Sequence, residues 1–183
     1  MEKNSQDIVH LITLCKENNR NAQFEVYNRY YKTMYNTALR IVKDSNWAED
    51  IMQECFLKAF TKLDTFKGEV TFGSWLKRIV INESLDNYKK INKNATSSLE
   101  DVLYKIEDQE SPDIDIDFNT IKAQQILGCI KSLKDNYRII LTLNFIEGYD
   151  QEEICEIMQI NAGNCRAMIS RAKESLRQKL QLL

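Results

Sequence analysis

The chain has 183 residues, with 43% apolar and 28% charged side chains and a formal net charge of −2, a composition typical of a globular protein of one or two small domains. Its five glycines and single proline are too few for a turn-rich all-β fold, whereas abundant helix formers favour an all-α fold. No apolar run approaches the roughly 20 residues that cross a bilayer, and the N-terminus lacks a signal peptide, so we expect a cytoplasmic protein.

Two amphipathic helices are predicted at the start of the chain. Apolar side chains recur at spacings of three and four over residues 5–17 and again over residues 22–43. This spacing places them along one face of a helix, which indicates that each helix buries that face. In the longer segment, the side chains predicted to face inward begin with Phe24.

A third helix is predicted from a capping signal. Asn46 and Glu49 form a capping-box pattern, so we expect a helix from this point through about Leu63, with Trp47 at the start of one inward stripe. The segment DTFKGEVTF that follows has no helical pattern. It reads as a loop in which Gly68 is free to adopt a positive φ.

A fourth helix, predicted from about residue 72 to 90, completes a first domain over residues 1–92. Residues 93–118 then combine the only proline with 8 acidic and 2 basic side chains. This composition predicts a flexible acidic linker. Two roles remain open for it: a spacer that keeps the flanking domains soluble, or an acidic strand that occupies a basic channel on a partner.

The second domain, residues 119–183, begins with two predicted helices, 119–131 and 135–147. Gly148 follows the second of them at the position where a left-handed residue commonly ends a helix. The overall prediction is therefore an all-α fold of two small helical domains joined by a flexible acidic linker.

Residues 150–180 carry a helix-turn-helix pattern. Asp150 and Glu153 form a capping box for a short helix, and Asn161 can cap a second, basic helix. A basic helix in this position offers cationic side chains to the phosphate-lined major groove of DNA. The apolar stripe predicted to bury the second helix consists of Cys165, Ile169, Ala172, Leu176 and Leu180.

Residues that commonly carry catalysis or bind metals are sparse. The five cysteines are widely spaced without a C-x-x-C pair, and His10 is the only histidine. Each cysteine lies in or near an apolar stripe, which indicates small buried side chains in a reducing compartment. The sequence also lacks a glycine-rich phosphate loop and a Ser/His/Asp set. We therefore expect no enzyme, no catalytic residue, no metal, no cofactor and no small-molecule substrate.

The segments AEDIMQECFLKAF, LDTFKGEVTFGSWLKRIVINESLDNYKK and SRAKESLRQKL, in this order around a linker and a helix-turn-helix, resemble the extracytoplasmic-function sigma factors of bacterial RNA polymerase, in the sigma-70 family. The resemblance covers nearly the whole chain outside the linker. It implies a transcription initiation subunit that binds core RNA polymerase, directs it to specific promoters and helps to melt the DNA.

The resemblance also assigns roles to the two domains. The first would bind the clamp helices of the largest polymerase subunit and would recognise and melt the minus-ten element. The second would bind the flap of the other large subunit and read the minus-thirty-five element. The linker would thread toward the active-site cleft, and an anti-sigma factor would hold the protein inactive.

Three residues of the predicted third helix match the D-x-x-Q-E of the family's polymerase-binding helix. They are Asp50, Gln53 and Glu54, and their spacing forms one compact polar patch on a helix. The resemblance implies that this patch binds the polymerase. The alternative is an ordinary solvated face.

Promoter melting requires an apolar or aromatic pocket for an unstacked base and cations for the displaced strand. Asn82 occupies the asparagine position of the family's R-I-x-x-N pattern, and its amide can both donate and accept hydrogen bonds. Trp75 is expected to pack in the core. The candidate contacts to the minus-ten element are Lys67, Phe72, Lys77, Arg78, Asn82, Asp86, Asn87, Lys89 and Lys90.

In the helix-turn-helix, the start of the second helix is best placed to reach the major groove. Arg166 is able either to read guanine with two hydrogen bonds or to clamp a phosphate. The family's usual basic residue is replaced here by Met168, which lies at the edge of the buried stripe. The candidate DNA contacts are Asn164, Arg166, Ala167, Ser170, Arg171, Lys173 and Arg177.

Two rival interpretations remain. A stand-alone helix-turn-helix regulator would explain the second domain but would leave the polar patch and aromatic loop of the first without a role. It should also bind duplex DNA by itself. A helical adaptor that sequesters a partner would not depend on DNA at all.

Overall fold

The computed structural model describes residues 2–95 and 118–182, and within these ranges every regular element is a helix, which confirms the predicted all-α fold. The chain divides into two compact units, Met1–Ser97 and Ser98–Leu183. Within the predicted linker, residues 93–95 and 118 are helical, and residues 96–117, on which its proposed roles depend, lie outside the residues that the structure describes. In the described ranges, no helix combines the length and apolar character of a membrane span.

The first unit is a bundle of four helices in which the second helix packs against the other three. Its core contains side chains that have no solvent exposure, among them Val26, Ala38 and Leu76. Thr71 starts the last helix, because its hydroxyl oxygen accepts the backbone N–H of Ser74 at 3.2 Å. The elements are α1 (Glu2–Lys16), α2 (Arg20–Val42), α3 (Ser45–Thr61), a 3₁₀ turn (Leu63–Thr65) and α4 (Phe72–Ala95).

The start of α3 differs from its prediction. The capping residue is Asp44, whose Oδ1 accepts the backbone N–H of Trp47 at 2.8 Å, and not Asn46, which lies inside the first turn. The physical reason is the preceding residue, Lys43, which ends α2 in the left-handed conformation at φ 64°. The chain therefore changes direction directly after Lys43, and the carboxylate of the next residue, Asp44, caps α3.

Two aromatic residues predicted to face inward are exposed. Phe24 is 66% exposed, because the buried face of α2 passes through Ala22 and Val26 instead. Trp47 is 42% exposed, since the buried face of α3 begins one residue later, at Ala48. Residues adjacent along a helix point about 100° apart, so a single-residue error in the assumed face exposes a large side chain.

The second unit also consists of four helices, and its last helix packs against each of the other three. Between its second and third helices, one wider π-helical turn, Thr142–Ile146, replaces the end of the predicted regular helix. Gly148 follows with φ 81°, as predicted for a residue that ends a helix. The regular helices are α5 (Phe118–Lys131), α6 (Asp135–Leu141), α7 (Gln151–Met158) and α8 (Ala162–Leu180).

The helix-turn-helix forms with the caps that its sequence predicts. The backbone N–H of Glu153 donates to Asp150 Oδ1 and that of Asp150 to Glu153 Oε2, both at 2.8 Å, which completes the capping box. Asn161 Oδ1 accepts the backbone N–H of Asn164 at 2.8 Å and caps α8. Within the predicted stripe, Cys165, Ala172 and Leu176 are buried, while Ile169 and Leu180 are half-buried.

Candidate protein and nucleic-acid interfaces

The predicted polymerase-binding residues form one exposed surface on α3. Asp50, Gln53 and Glu54 are all exposed, and they lie opposite the buried face that contains Ile51 and Cys55. Asp50 has no hydrogen-bond or ion-pair partner within the described part of the chain, so its carboxylate remains available to a partner. We refer to Asp50, Gln53 and Glu54 as the acidic patch.

A lysine fixes one end of the acidic patch. Lys58 Nζ lies 2.9 Å from Glu54 Oε1 and 2.6 Å from Glu83 Oε2, so it joins α3 to α4. The hydrogen bond to Glu83 and, to a smaller extent, the one to Glu54 raise the pKa of Lys58 above its usual value, which keeps the ammonium group charged. Asn87, predicted to contact DNA, instead donates to the Glu83 backbone oxygen at 3.0 Å and to Glu83 Oε1 at 3.2 Å. Its amide is thus part of the α3–α4 contact.

Several predicted minus-ten contacts share one face of α4. Arg78, Asn82 and Asp86 follow one another at spacings of four, which places them along one line on the helix surface. Asn82, Asp86, Lys89 and Lys90 are exposed, whereas Arg78 and, at the margin of this face, Lys77 are half-buried. The face therefore combines amide, acidic and basic groups, which suits mixed contacts to base edges and phosphates.

Phe72, one of the predicted DNA contacts, is buried in the free protein. Phe72 is only 4% exposed and lies in an aromatic cluster with Tyr30, Phe66 and Trp75, at centroid distances of 5.5, 5.6 and 5.6 Å. As the first residue of α4, it packs against Phe66 of the preceding loop. Trp75 is half-buried in the same cluster, and Lys67 is exposed in the loop above it.

The start of α8 presents an exposed polar surface. Asn164, Arg166, Ala167, Ser170 and Arg171 are all exposed, and together they cover the side of the helix that faces away from buried Cys165 and Ala172. Neither arginine has a partner among the residues described by the structure. Two guanidinium groups are therefore available at the end of the helix where side chains of a helix-turn-helix reach base edges.

The two other predicted DNA contacts of α8 that are basic, Lys173 and Arg177, have partners. Lys173 is half-buried, and its Nζ lies 5.2 Å from the ring centroid of Phe145, within the range of a cation–π contact. Arg177 Nη1 lies 3.2 Å from Glu174 Oε2, in a pair that is largely exposed. Such pairs contribute little to stability and are readily exchanged for phosphate contacts.

The sequence interpretation missed two apolar residues beside the acidic patch. Leu57 is 68% exposed and Trp47 is 42% exposed, and both lie on the solvent-facing side of α3. The available signal was the spacing, because positions 47, 50, 54 and 57 step by three, four and three along the helix. The inward assignment of Trp47 concealed this pattern.

Comparisons with known proteins agree with the two-unit organisation. The family model of sigma-70 region 2 matches residues 26–94, in the first unit. The family model of sigma-70 region 4 matches residues 123–176, in the second unit.

Similar proteins of known function come from several bacteria. The chain is 31% identical over 163 residues to the RNA polymerase sigma-H factor of Pseudomonas aeruginosa, which covers 85% of this chain and 84% of that protein. It is 32% identical over 142 residues to the ECF RNA polymerase sigma-E factor of Escherichia coli, covering 73% and 74% of the two chains. It is 27% identical over 181 residues to the ECF RNA polymerase sigma factor SigW of Bacillus subtilis, covering 93% and 95%.

Two solved structures share the fold. The sigma factor RpoE of Bartonella quintana, determined in complex with the anti-sigma factor NepR, matches with a TM-score of 0.58 at 21% identity, covering 86% of this chain and 95% of that one. CnrH, determined in complex with the cytosolic domain of CnrY, matches with a TM-score of 0.55 at 20% identity, covering 94% and 96%.

Proposed function

Because the chain is an extracytoplasmic-function sigma factor of the sigma-70 family, a class that binds core RNA polymerase and directs it to promoters, we propose how its two units divide this work. The first unit, with proposed bounds 1–92, binds the core enzyme and opens the minus-ten element. The second, with proposed bounds 119–183, reads the minus-thirty-five element. Residues 93–118 connect them.

The acidic patch is the proposed docking site for the polymerase. Its carboxylates suit a partner surface rich in arginine or lysine, because charge-assisted hydrogen bonds are stronger than neutral ones. DNA is excluded as the ligand of this surface, since phosphate repels carboxylate. Lys58 supports the arrangement by holding Glu54 against α3.

The proposed minus-ten surface is the face of α4 that carries Arg78, Asn82, Asp86, Lys89 and Lys90, together with Lys67 in the loop. Cations attract the displaced strand, and the amide of Asn82 is suited to a base edge. Phe72 supports the loop from beneath. Asn87 braces α4 through Glu83, and half-buried Lys77 lies at the edge of the surface.

The proposed minus-thirty-five surface is the start of α8. Arg166 and Arg171 contact bases or phosphates, while Asn164, Ala167 and Ser170 lie against the groove. Lys173 and Arg177 supply sequence-independent attraction farther along the helix. The acidic residues of α7 face away from the DNA in this arrangement, because phosphates would repel them.

One observation carries this proposal against a stand-alone regulator: the same chain holds a capped helix-turn-helix with free arginines and, in a separate unit, an exposed acidic patch that DNA would repel. A regulator that acts alone has no use for the second surface. A sigma factor needs both, one for the polymerase and one for the promoter.

The experiment compares promoter binding by the chain alone and by its mixture with core polymerase. We expect weak binding of a labelled duplex by the chain alone and tight, sequence-selective binding with the core enzyme. Asp50→Lys combined with Glu54→Lys should abolish the increase in promoter binding that core polymerase causes. Equally tight binding without polymerase would identify a stand-alone regulator instead.

Regulation and location belong to the same proposal. Because RpoE was determined in complex with the anti-sigma factor NepR and CnrH in complex with the cytosolic domain of CnrY, we propose that an anti-sigma factor also binds this chain. Polymerase and promoter DNA place its action in the cytoplasm. The polymerase performs all of the chemistry, so we expect no enzymatic step from this protein.

A further inference from the structure

We propose that Trp47 and Leu57 are apolar anchors that extend the acidic patch into a longer polymerase-binding stripe on α3. This inference rests on the proposed docking role of the patch, and it adds two contacts that the family motif D-x-x-Q-E does not contain. The partner is a polymerase surface with basic groups between two apolar sockets.

The first argument is position on the helix. Trp47, Asp50, Glu54 and Leu57 step by three, four and three, which keeps all four side chains on one side of α3. Trp47 and Leu57 are ten positions apart, which corresponds to about 15 Å along a helix that rises about 1.5 Å per residue. The acidic groups therefore lie between two apolar ends.

The second argument is exposure. Trp47 is 42% exposed and Leu57 is 68% exposed, although α3 buries six other side chains against the bundle. Leu57 therefore contributes little to the packing of the unit, and a large part of the Trp47 surface also stays open to solvent. Single exposed apolar residues are common on protein surfaces, but a tryptophan and a leucine that bracket a charged patch match the composition of binding hot spots.

The third argument is electrostatic. Carboxylates that stay in water gain little from an ion pair, because the solvent screens it. Apolar contacts on both sides exclude water from the centre of an interface and strengthen the charged contacts there. Trp47 and Leu57 would thus increase the contribution of Asp50 and Glu54 as well as add buried area.

The test measures the affinity of purified core polymerase for full-length chain variants by competition against a labelled wild-type chain. Trp47→Ala and Leu57→Ala should each weaken binding about tenfold. Phe24→Ala and Val9→Ala are matched controls, since these residues are 66% and 63% exposed on other helices, and they should change affinity less than about twofold. Trp47→Ala keeps the backbone N–H that Asp44 caps, and equal thermal unfolding temperatures would exclude misfolding.

Salt dependence separates the anchors from the charges. The loss caused by Trp47→Ala should persist at about 1 M salt, where screening acts over about 3 Å, whereas the loss caused by Asp50→Lys should shrink. If Asp50→Lys weakens binding while both alanine variants bind as wild type, the anchors are refuted and the docking site stands. If none of the variants affects binding, the docking site itself is refuted.

Discussion

A Cβ atom placed on Gly73, in the first turn of α4, would lie 2.9 Å from Cε1 of Tyr30 on α2. A retreat of the Tyr30 ring would disturb its edge-on packing against Phe72, at a centroid distance of 5.5 Å. Burial also raises the pKa of its phenol. The close approach of α4 to α2 beneath the proposed minus-ten loop therefore depends on the absence of a side chain at this glycine.

We expect Gly73→Ala to destabilise the first unit by about 1–3 kcal/mol, the usual cost of overpacking, partly offset by the better helix propensity of alanine. Urea unfolding at equilibrium measures this change. Gly128→Ala is the matched control, because no atom lies within 4 Å of a Cβ there. In the interior of α5, that substitution should stabilise the second unit by about 0.5–1 kcal/mol. Equal stability of wild type and Gly73→Ala would contradict the steric argument.

The cap of α8 provides a second prediction. Asn161→Ala removes the acceptor for the backbone N–H of Asn164, so it should cost about 1 kcal/mol of stability in the second unit. Asn161→Asp restores the acceptor and should retain wild-type stability. Thermal unfolding of the three proteins checks the order. If Asn161→Ala and wild type have the same unfolding temperature, the cap contributes nothing to the stability of α8.

The arginines of α8 should differ in their effect on promoter affinity. Arg166→Ala should weaken binding of the polymerase complex by about 1–3 kcal/mol and should relax selectivity at one base pair if Arg166 reads a base. Arg177→Ala removes a side chain already paired with Glu174, so its effect should be smaller and similar for all sequences. Electrophoretic mobility shift assays on a set of single-base promoter variants separate these outcomes. A larger loss from Arg177→Ala would reverse the proposed roles.

Helix existence and type could be predicted because the apolar spacing is regular. The capping box at Asp150 and the cap at Asn161 were also predictable, since each is a local interaction between residues three positions apart. The cap of α3 was not, because Asp44 takes that role only after Lys43 has adopted the left-handed conformation. Backbone reversal between two helices depends on their tertiary packing.

Among the candidate sites, too, the features that local sequence determines could be predicted, and those that tertiary packing determines could not. The family motif and helical spacing identified the acidic patch and the face of α8, whose exposure depends mainly on local periodicity. Phe72 and Asn87 were assigned to DNA contact, yet one is buried among aromatic rings and the other bonds to Glu83. Both outcomes depend on neighbours distant in sequence or on rotamer choice, which a linear pattern does not contain.

Cysteine reactivity provides a prediction that depends on pH. Burial raises the pKa of Cys55 to about 12 and that of Cys165 to about 11. Only roughly 10⁻⁴ and 10⁻³ of these thiols are therefore ionised at pH 8, and since the thiolate is the nucleophile, both should resist alkylation in the folded protein. Half-buried Cys155 should react before either of them. Mass spectrometry of peptides after iodoacetamide treatment gives the order, and early labelling of Cys55 would contradict it.

The same pKa values predict how stability changes at high pH. A thiol whose pKa is higher in the folded state than in the unfolded state stabilises the fold at every pH below its unfolded-state pKa. This contribution is lost as the pH rises toward the folded-state pKa. The free energy of unfolding should therefore fall between about pH 9 and the folded values of about 11 and 12. Cys55→Ala should show a shallower fall over this range. An identical slope would show that Cys55 ionises equally easily in both states.

The central claim is that this chain turns core polymerase into a promoter-selective enzyme, and in vitro transcription tests it most directly. Purified core polymerase would transcribe genomic DNA from the organism that encodes the chain, with and without the chain, and the 5′ ends of the transcripts would be mapped. The account predicts a discrete set of start sites that require the chain and disappear with Asp50→Lys combined with Glu54→Lys. The same pattern of 5′ ends in both reactions would contradict it.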